Sequence, residues 1–303
     1  MRVSDLPPAS LRTLLASDGL HLRCGPFVTR VRGRLPALAM HLRQIYADHV
    51  CAPELCAAST VAIHGARDLL RPWRLAARLL VDGIPVMHRL DAGLAVPMLE
   101  WGMNWVIASR AHRHLLIHAA VVERDGLALV LPGRSGAGKT TLAALLAARG
   151  WRLFSDEFAV IEPQTGRCVP MPRALSLKNE GIEVVRGAFA DARFAPEYTG
   201  TAKGTLCYMG APADAVARAA ETAIPGWIVL PRFDARASLE VDSLDAADIH
   251  VALAAHAMNY GALGEAGFRC VAAIARATAG WRIAYGETPR ALDWLDLVAR
   301  RRG

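Results

Sequence analysis

The chain has 303 residues, of which 53% are hydrophobic and 21% charged, and its formal net charge is +7. That balance excludes intrinsic disorder and supports a sizeable core, in one large α/β domain or two closely joined ones. Excess positive charge favours an anionic partner such as a nucleotide or acidic peptide. With no dense Lys/Arg block beyond RVRGR and the C-terminal ARRRG, it argues against a nucleic-acid binder.

The start, MRVSDLPPASLRTLL, lacks the long apolar core and small-residue cleavage pattern of a signal peptide. No uncharged apolar run approaches the roughly 20 residues that cross a bilayer. A cytoplasmic protein without a membrane partner is therefore expected. Cys24, Cys51, Cys56, Cys168, Cys207 and Cys270 are scattered, with no CxxC pair and no His at ligand spacing. They are read as buried free thiols, not zinc ligands.

LHLRCGPFVTRVRG alternates around Gly25-Pro26 and predicts two strands and a turn, and LPALAMHLRQIYADH predicts a helix. STVAIHGA and ARLLVDGIPVMHR predict further strands, the latter turning at Asp82-Gly83. This first part, residues 1–95, is read as an N-terminal mixed α/β subdomain packed closely against the remainder, 96–303. VPMLEWGMNWVIASRAH predicts a helix whose Trp101 and Trp105, four residues apart, are assigned to the core. IHAAVVE and LALVLPG predict a hairpin turning at Asp125-Gly126. Later, PGWIVLPRFD reads as a buried strand, and DAADIHVALAAHAMNYG to the C-terminus as mostly helical, with one strand at WRIAYGE. No internal repeat or low-complexity tract is present.

Chemistry concentrates in LALVLPGRSGAGKTTLAALLAARGWRLFSDEFAVI. Gly133, Arg134, Ser135, Gly136, Ala137, Gly138, Lys139 and Thr140 fill every fixed position of GxxxxGK[ST]. A β-like run precedes them, and an Ala/Leu-rich helical stretch from Thr141 follows, stopped by Gly150. In such a loop the glycines let successive N–H groups point at phosphate oxygens, and the helix start adds positive potential. Lys139 is then assigned to the β and γ phosphates and the Thr140 hydroxyl to Mg²⁺, with Thr141 beside them at the nucleotide.

WRLFSDEFAVI is read as a second strand carrying Asp156 and Glu157. Adjacent strand residues point to opposite faces, so both acids serve one site only where the strand ends. One would then hold the metal and the other accept a proton from an attacking hydroxyl, the alternative being one catalytic and one surface acid. A guanine-reading NKxD is absent, SLKNE having the wrong order, and so is LSGGQ. The acids also follow Lys139 too soon for a distant Walker B strand.

These residues resemble the HPr kinase/phosphorylase family, and more closely its bacterial relatives called HPr kinase-related kinase A. The similarity rests on His118-Ala119-Ala120-Val121-Val122 before GRSGAGKTT and on Arg152-Leu153-Phe154-Ser155-Asp156-Glu157 after it, at that family's spacing. GPFVTRV, LEWGMNWVIASRAH, RALSLKNEGIEVVR, AKGT and MNYGALGEAGF are similar to recurring segments of the closer group.

The resemblance implies an α/β P-loop kinase of the HPr kinase and phosphoenolpyruvate carboxykinase-like type, with a mixed central sheet flanked by helices. Strand-helix alternation alone gives only an α/β P-loop protein. It further implies ATP and Mg²⁺ as cofactors, Asp156 as the general base, His118 orienting base or phosphate, Lys139 on the phosphate, and Thr140 with Glu157 at the metal. Glu157 replaces the family's second Asp, Glu180 is a weak match to its later metal-site Glu, and its C-terminal catalytic Arg has no counterpart. Arg173, Lys178 and Lys203 are the candidate substitutes, since a cation is needed where charge develops. Asn259-Tyr260 is weighed as pocket lining against a cap or core role, and His112 and His114 are taken as structural. The expected activity is ATP-dependent transfer to a Ser or Thr hydroxyl of a small protein or peptide. The alternatives are a small-molecule kinase or a nucleotide-responsive, non-catalytic module. HPr kinases assemble as homo-oligomers, and the apolar composition allows such an interface.

Overall fold

The computed structural model describes residues 1–67 and 75–300; the last three residues of the basic ARRRG run lie outside them. The chain is α/β and divides into two compact units, each discontinuous in sequence. One comprises Met1–Arg110, Ser176–Ile182 and Asp191–Ala217, the other Ala111–Leu175, Glu183–Ala190 and Arg218–Gly303. Among the described residues no helix is long and apolar enough to cross a membrane.

In the first unit the expected turns form where the chemistry puts them. Leu20–Cys24 and Phe27–Gly33 pair antiparallel around Gly25, whose φ is +56°. Asp82 and Gly83, both at positive φ, close the turn between Leu75–Val81 and Ile84–Pro85. Phe27–Gly33 runs parallel to Ser59–Arg67, with helix Pro36–Ile45 between them in sequence. Helix Ala95–Arg110 packs on strands Ser59–Arg67 and Leu75–Val81. Gly102 makes that approach close, since a Cβ there would come within 2.8 Å of Leu79 and 2.9 Å of Val61.

The helix turns a different face inward from the one expected. Trp101 and Trp105 are 41% and 40% exposed, whereas Leu99, Met103, Val106 and Ile107 are buried. Glu100 is buried with them because His41 Nε2 lies 2.7 Å from one carboxylate oxygen and Tyr46 donates its hydroxyl to the other at 2.8 Å. The assignment of both tryptophans to the core is thus corrected. Cys56 is likewise exposed, while the other five cysteines are buried; all six are free thiols.

The second unit is built on a mixed sheet of eight strands among the described residues. Leu115–Arg124 and Leu127–Pro132 form a hairpin whose turn residues, Asp125 and Gly126, have φ of +53° and +80°. This is the double positive-φ turn that matches strand twist. Leu127–Pro132 then runs parallel to Ile224–Phe233, which runs parallel to Ala279–Tyr285, and Glu240–Leu244 closes that edge antiparallel. Strands Arg152–Ser155 and Phe158–Ile161 both pair with Leu115–Arg124 on its other edge. Ile117, Ala119, Val121, Val130 and Phe154 from these strands share a buried cluster with Ile249, Leu253, Val271 and Ile274 of helices Ala246–His256 and Tyr260–Ala277.

Candidate active site

Helix Lys139–Ala148 begins directly after the glycine-rich turn, and Gly150 (φ +88°) lets the chain leave it. Leu142, Ala143, Ala144, Leu145 and Leu146 bury that helix in its unit. At the other end, Gly138 has φ +92° and stands before the first helical residue. A Cβ at Gly138 would overlap the hydroxyl of Tyr285, so this position excludes a side chain both by conformation and by space. Phe233 N–H donates to Ala137 O at 3.3 Å and Phe233 packs edge-on against Tyr285. The loop therefore rests on the ends of the two parallel strands. Gly136 has φ +89° and no atom within 4 Å of a Cβ, leaving open space at the loop's outer side.

Lys139 is buried and folds back over the loop. Its ammonium donates to Gly133 O at 2.8 Å and Arg134 O at 2.9 Å, and lies 3.3 Å from His118 Nε2. His118 Nδ1 is 3.1 Å from Glu157 O. A carbonyl can only accept, so Nδ1 carries the proton and Nε2 accepts from Lys139. Burial lowers the His118 pKa and the Lys139 charge lowers it further, against a smaller opposing pull from Glu157. The imidazole is thus neutral at pH 7, and its 3.7 Å approach to Glu157 Oε2 is not an ion pair there.

WRLFSDEFAVI, expected as one strand, is broken into Arg152–Ser155 and Phe158–Ile161 with the two acids in the bend between. Phe158 N–H donates to Ser155 Oγ at 3.3 Å across that bend. Val121 lies opposite Ser155 and His118 opposite Phe158, in one register across the bend, whereas Leu153 and Arg152 pair with Val122 and Glu123 one residue out of it, so the first strand is irregular just before the acids. In a continuous strand they would face apart. Here Glu157 reaches toward His118, while Asp156 is 5% exposed within the same unit.

The remaining expected residues are placed as follows. Thr140 and Thr141 are half-buried in the first turn of helix Lys139–Ala148, Arg134 and Ser135 are exposed on the loop, and Ala137 is half-buried. Arg173 is buried in this unit, two residues after Met171, whose N–H bonds Phe154 O at 2.8 Å. Lys178, Lys203 and the exposed Glu180 belong to the first unit. Asn259 is a clamp: Nδ2 donates to Ala111 O and His114 O at 2.8 and 2.7 Å, and Oδ1 accepts from Leu116 N at 3.0 Å. This fixes the chain entering the His118 strand and favours its structural reading. Tyr260 Oη lies 3.0 Å from His250 Nε2.

Two features were not singled out in sequence. Tyr285 with Phe233 forms the loop's seat, and His256 ends helix Ala246–His256 next to an antiparallel bridge between Ala257 and Ile117. Burial lowers the His256 pKa, and the charges of Lys139 and Arg134 lower it further, which marks it as a neighbour of the loop.

The donor set suits a nucleotide with Mg²⁺. A positive-φ glycine turn ends in a buried Lys that donates to loop carbonyls, a hydroxyl stands in the first helical turn, and carboxylates occupy the nearby bend. Among the described residues no three His, Cys, Asp or Glu side chains gather as a self-sufficient metal cage. A Mg²⁺ ion commonly takes one or two protein oxygens and fills its other positions with phosphate and water.

The chain matches no family model. It is related to HPr kinase/phosphorylases: it is 30% identical over 110 residues to those of Bacillus subtilis and Bacillus velezensis, covering 36% of this chain and 34% of theirs. With the protein of that name from Streptococcus mutans it shares 29% over 104 residues, 34% of this chain and 32% of that one. The chain thus spans about a third of the length of the curated relatives it matches.

Proposed function

We propose that the chain is an ATP-dependent P-loop kinase, of the HPr kinase-like type, that transfers the γ-phosphoryl group to a Ser or Thr hydroxyl of a small protein or peptide. The observation that carries this reading is the line of contacts from Lys139 through His118 to Glu157, beside the buried Asp156 and directly behind the glycine loop. Its similarity to proteins named HPr kinase/phosphorylase supports the same reading.

In this mechanism the loop N–H groups from Gly133 to Lys139 hold the phosphate chain, and Lys139 exchanges its carbonyl contacts for phosphate oxygens. Asp156 accepts the proton of the acceptor hydroxyl as its oxygen bonds to the γ-phosphorus. The bond from that phosphorus to the β–γ bridging oxygen breaks, and ADP leaves with the electron pair. Neutral His118 keeps Lys139 and the Glu157 backbone in register and so positions both sides of the reaction. Thr140 and Glu157 would hold Mg²⁺, which when bound neutralises charge on the β and γ phosphates. Buried Arg173 is the cation of this unit proposed to replace the missing catalytic Arg.

The test is incubation of purified chain with labelled ATP and lysate of its own organism, followed by mass spectrometry of phosphorylated products. A phosphoserine or phosphothreonine protein is expected, and Asp156→Asn is expected to bind ATP yet transfer nothing. Wild-type transfer by Asp156→Asn removes the assigned base. Label appearing only in metabolites makes the chain a small-molecule kinase, and binding without any transfer makes it a nucleotide-responsive module.

A further inference from the structure

The basic run RVRGR takes no part in the chemistry of the other unit; it lies on strand Phe27–Gly33 of the first and one residue beyond. Strand alternation buries Val31 and Gly33 and turns Arg30 and Arg32 to the opposite face of the sheet. Helix Ala95–Arg110 packs on the other side, where Gly102 meets Val61 and Leu79. Register extends the arginine face over four strands. Arg30 stands between His21 and Thr60, Arg32 beside Ala62, and Ala62 and His64 opposite Leu80 and Arg78. Arg23, two residues along from His21 and opposite Val28, adds another guanidinium. Arg23 and His64 are exposed, and Arg30, Arg32 and Arg78 are half-buried. Arg30 Nε donates to the Asp18 carbonyl, and the stems of Arg32 and Arg30 lie against Gly19, where a Cβ would come within 2.7 and 3.0 Å of them. These two side chains are thus held side by side. The carboxylates at the margin of the face are already engaged: Asp82 accepts from Thr60 N at 2.7 Å and pairs with Arg110 at 3.0 Å, and Asp91 accepts from Gly93 N at 2.8 Å. Among the described residues, Arg23, Arg30, Arg32 and Arg78 form no ion pair, with Asp18 or any other acid.

On the open face of a sheet, neighbouring opposite charges support the fold and like charges oppose it. Here arginines alone run diagonally from Arg23 to Arg78, with Val28, Ala62 and Leu80 between them. That arrangement does nothing for the stability of the unit, and it complements an anionic, partly apolar surface. We propose that this face docks an acidic polypeptide segment of a partner protein, its carboxylates bound by the guanidinium groups and its apolar side chains by Ala62 and Leu80. Four strands leave three gaps of about 4.8 Å, so the face is about 15 Å across and accommodates about five extended residues. Arginine without lysine suits planar carboxylates, which the guanidinium fork meets with two parallel hydrogen bonds. A single-stranded nucleic acid would need rings on which its bases stack, and no Phe, Tyr or Trp of these described strands lies on the face. The assignment is independent of phosphoryl transfer and stands or falls without it.

The experiment measures, by fluorescence anisotropy with the full chain, binding of a short labelled peptide of alternating Glu and Leu, of its counterpart with Lys for Glu, and of a labelled oligothymidine. Wild type is compared with the triple variant Arg23→Gln, Arg32→Gln, Arg78→Gln, which spares Arg30 because of its bond to Asp18. A control variant, Arg12→Gln, Arg269→Gln, Arg290→Gln, removes the same charge from exposed positions off the face. The Glu peptide is expected to bind wild type more tightly than either other probe. Its affinity should fall about tenfold or more in the first variant and by less than about threefold in the control. The first variant should melt no lower than wild type, since its substitutions relieve repulsion between like charges. Equal weakening in both variants would reduce the effect to net charge and overturn the assignment. So would no binding of the Glu peptide, or tighter binding of oligothymidine, which would make the face a nucleic-acid surface. A melting temperature lowered by more than about 5 °C in the first variant alone would assign the arginines to the fold instead.

Discussion

Gly138 and Tyr285 occupy adjoining space so closely that a Cβ on the glycine would overlap the tyrosine hydroxyl. The last glycine of the loop is therefore held by a residue from the end of strand Ala279–Tyr285, more than a hundred positions later in the chain. Gly138→Ala meets both a left-handed backbone and this hydroxyl. It is expected to lower stability by about 2 kcal/mol or more, from the conformational and overpacking costs together, and to abolish nucleotide binding. Gly136→Ala, at φ +89° but with nothing within 4 Å, bears only the conformational part and should cost about 1–2 kcal/mol. Urea unfolding of the two variants checks the order; equal losses would mean that Tyr285 does not constrain the loop.

In the proposed kinase His118 would act through its neighbours. Replacing it by Ala removes the acceptor for Lys139 and the donor to Glu157 O, leaving both groups in place but less well oriented. The expected result is a fall in kcat of about ten- to a hundredfold with ATP affinity changed by less than threefold, the signature of lost positioning. Asn, which retains an N–H and an acceptor, should restore part of kcat. A loss confined to ATP affinity would place His118 in binding instead.

How much of this was readable beforehand varies with the physics of each element. The hairpin at Asp125-Gly126, the loop and its helix carry their signals locally, in positive-φ residues and spacing, and the chain folds there as the residues indicate. Helix Ala95–Arg110 was legible as a helix but not in its orientation. It is apolar around most of its circumference, and two tryptophans that keep part of their rings exposed look in sequence like core residues. The broken strand at Asp156-Glu157 has no Gly or Pro to announce it; the break follows from the Ser155 hydroxyl and from pairing with one strand on both sides. His256 was not legible at all, because its place depends on the bridge between Ala257 and Ile117, far apart in the chain. That each unit draws on separate stretches of the sequence likewise follows from long-range contacts within it.

Arg152 and Glu123 form a buried pair at 2.6 Å, and the same guanidinium donates to Arg218 O at 2.9 Å and Glu221 O at 3.1 Å. One cation thus joins the hairpin, the strand after helix Lys139–Ala148 and the segment before Ile224–Phe233. Removing the Glu123 charge leaves the buried Arg152 with only the largely exposed carboxylate of Glu221, 3.5 Å away, as counter-ion, so Glu123→Gln should cost about 3 kcal/mol. The apolar double substitution Arg152→Met with Glu123→Leu should recover about 1 kcal/mol or more of that, limited by the carbonyls left without a donor. Chemical denaturation of the set checks this. A double variant much less stable than Glu123→Gln would show that the bonds to Arg218 and Glu221 dominate.

Asp296, on helix Thr288–Arg300, accepts from Trp151 Nε1 and Arg124 Nη1 at 2.8 Å each and from Arg149 Nη1 at 3.1 Å, while the Arg124 guanidinium lies 4.4 Å over the Trp151 ring. Burial would raise the pKa of this carboxyl, but the bonds from Trp151, Arg149 and Arg124 outweigh it and hold it below the usual carboxylate range. A depressed folded-state pKa contributes stability that is fully present above the unfolded value of about 3.9 and is lost as pH falls through the folded value. At pH 7 Asp296→Asn should therefore cost about 2 kcal/mol, as expected for losing charge-assisted bonds to a partly buried group. Below about pH 4 the carboxyl takes up a proton first in the unfolded chain, and in the folded protein only at lower pH still, so the gap between the two proteins should narrow. Unfolding curves at pH 7, 5 and 3 read this directly, and a gap that stays constant over that range would mean that the helix is held by its packing against helix Lys139–Ala148 and not by this carboxylate.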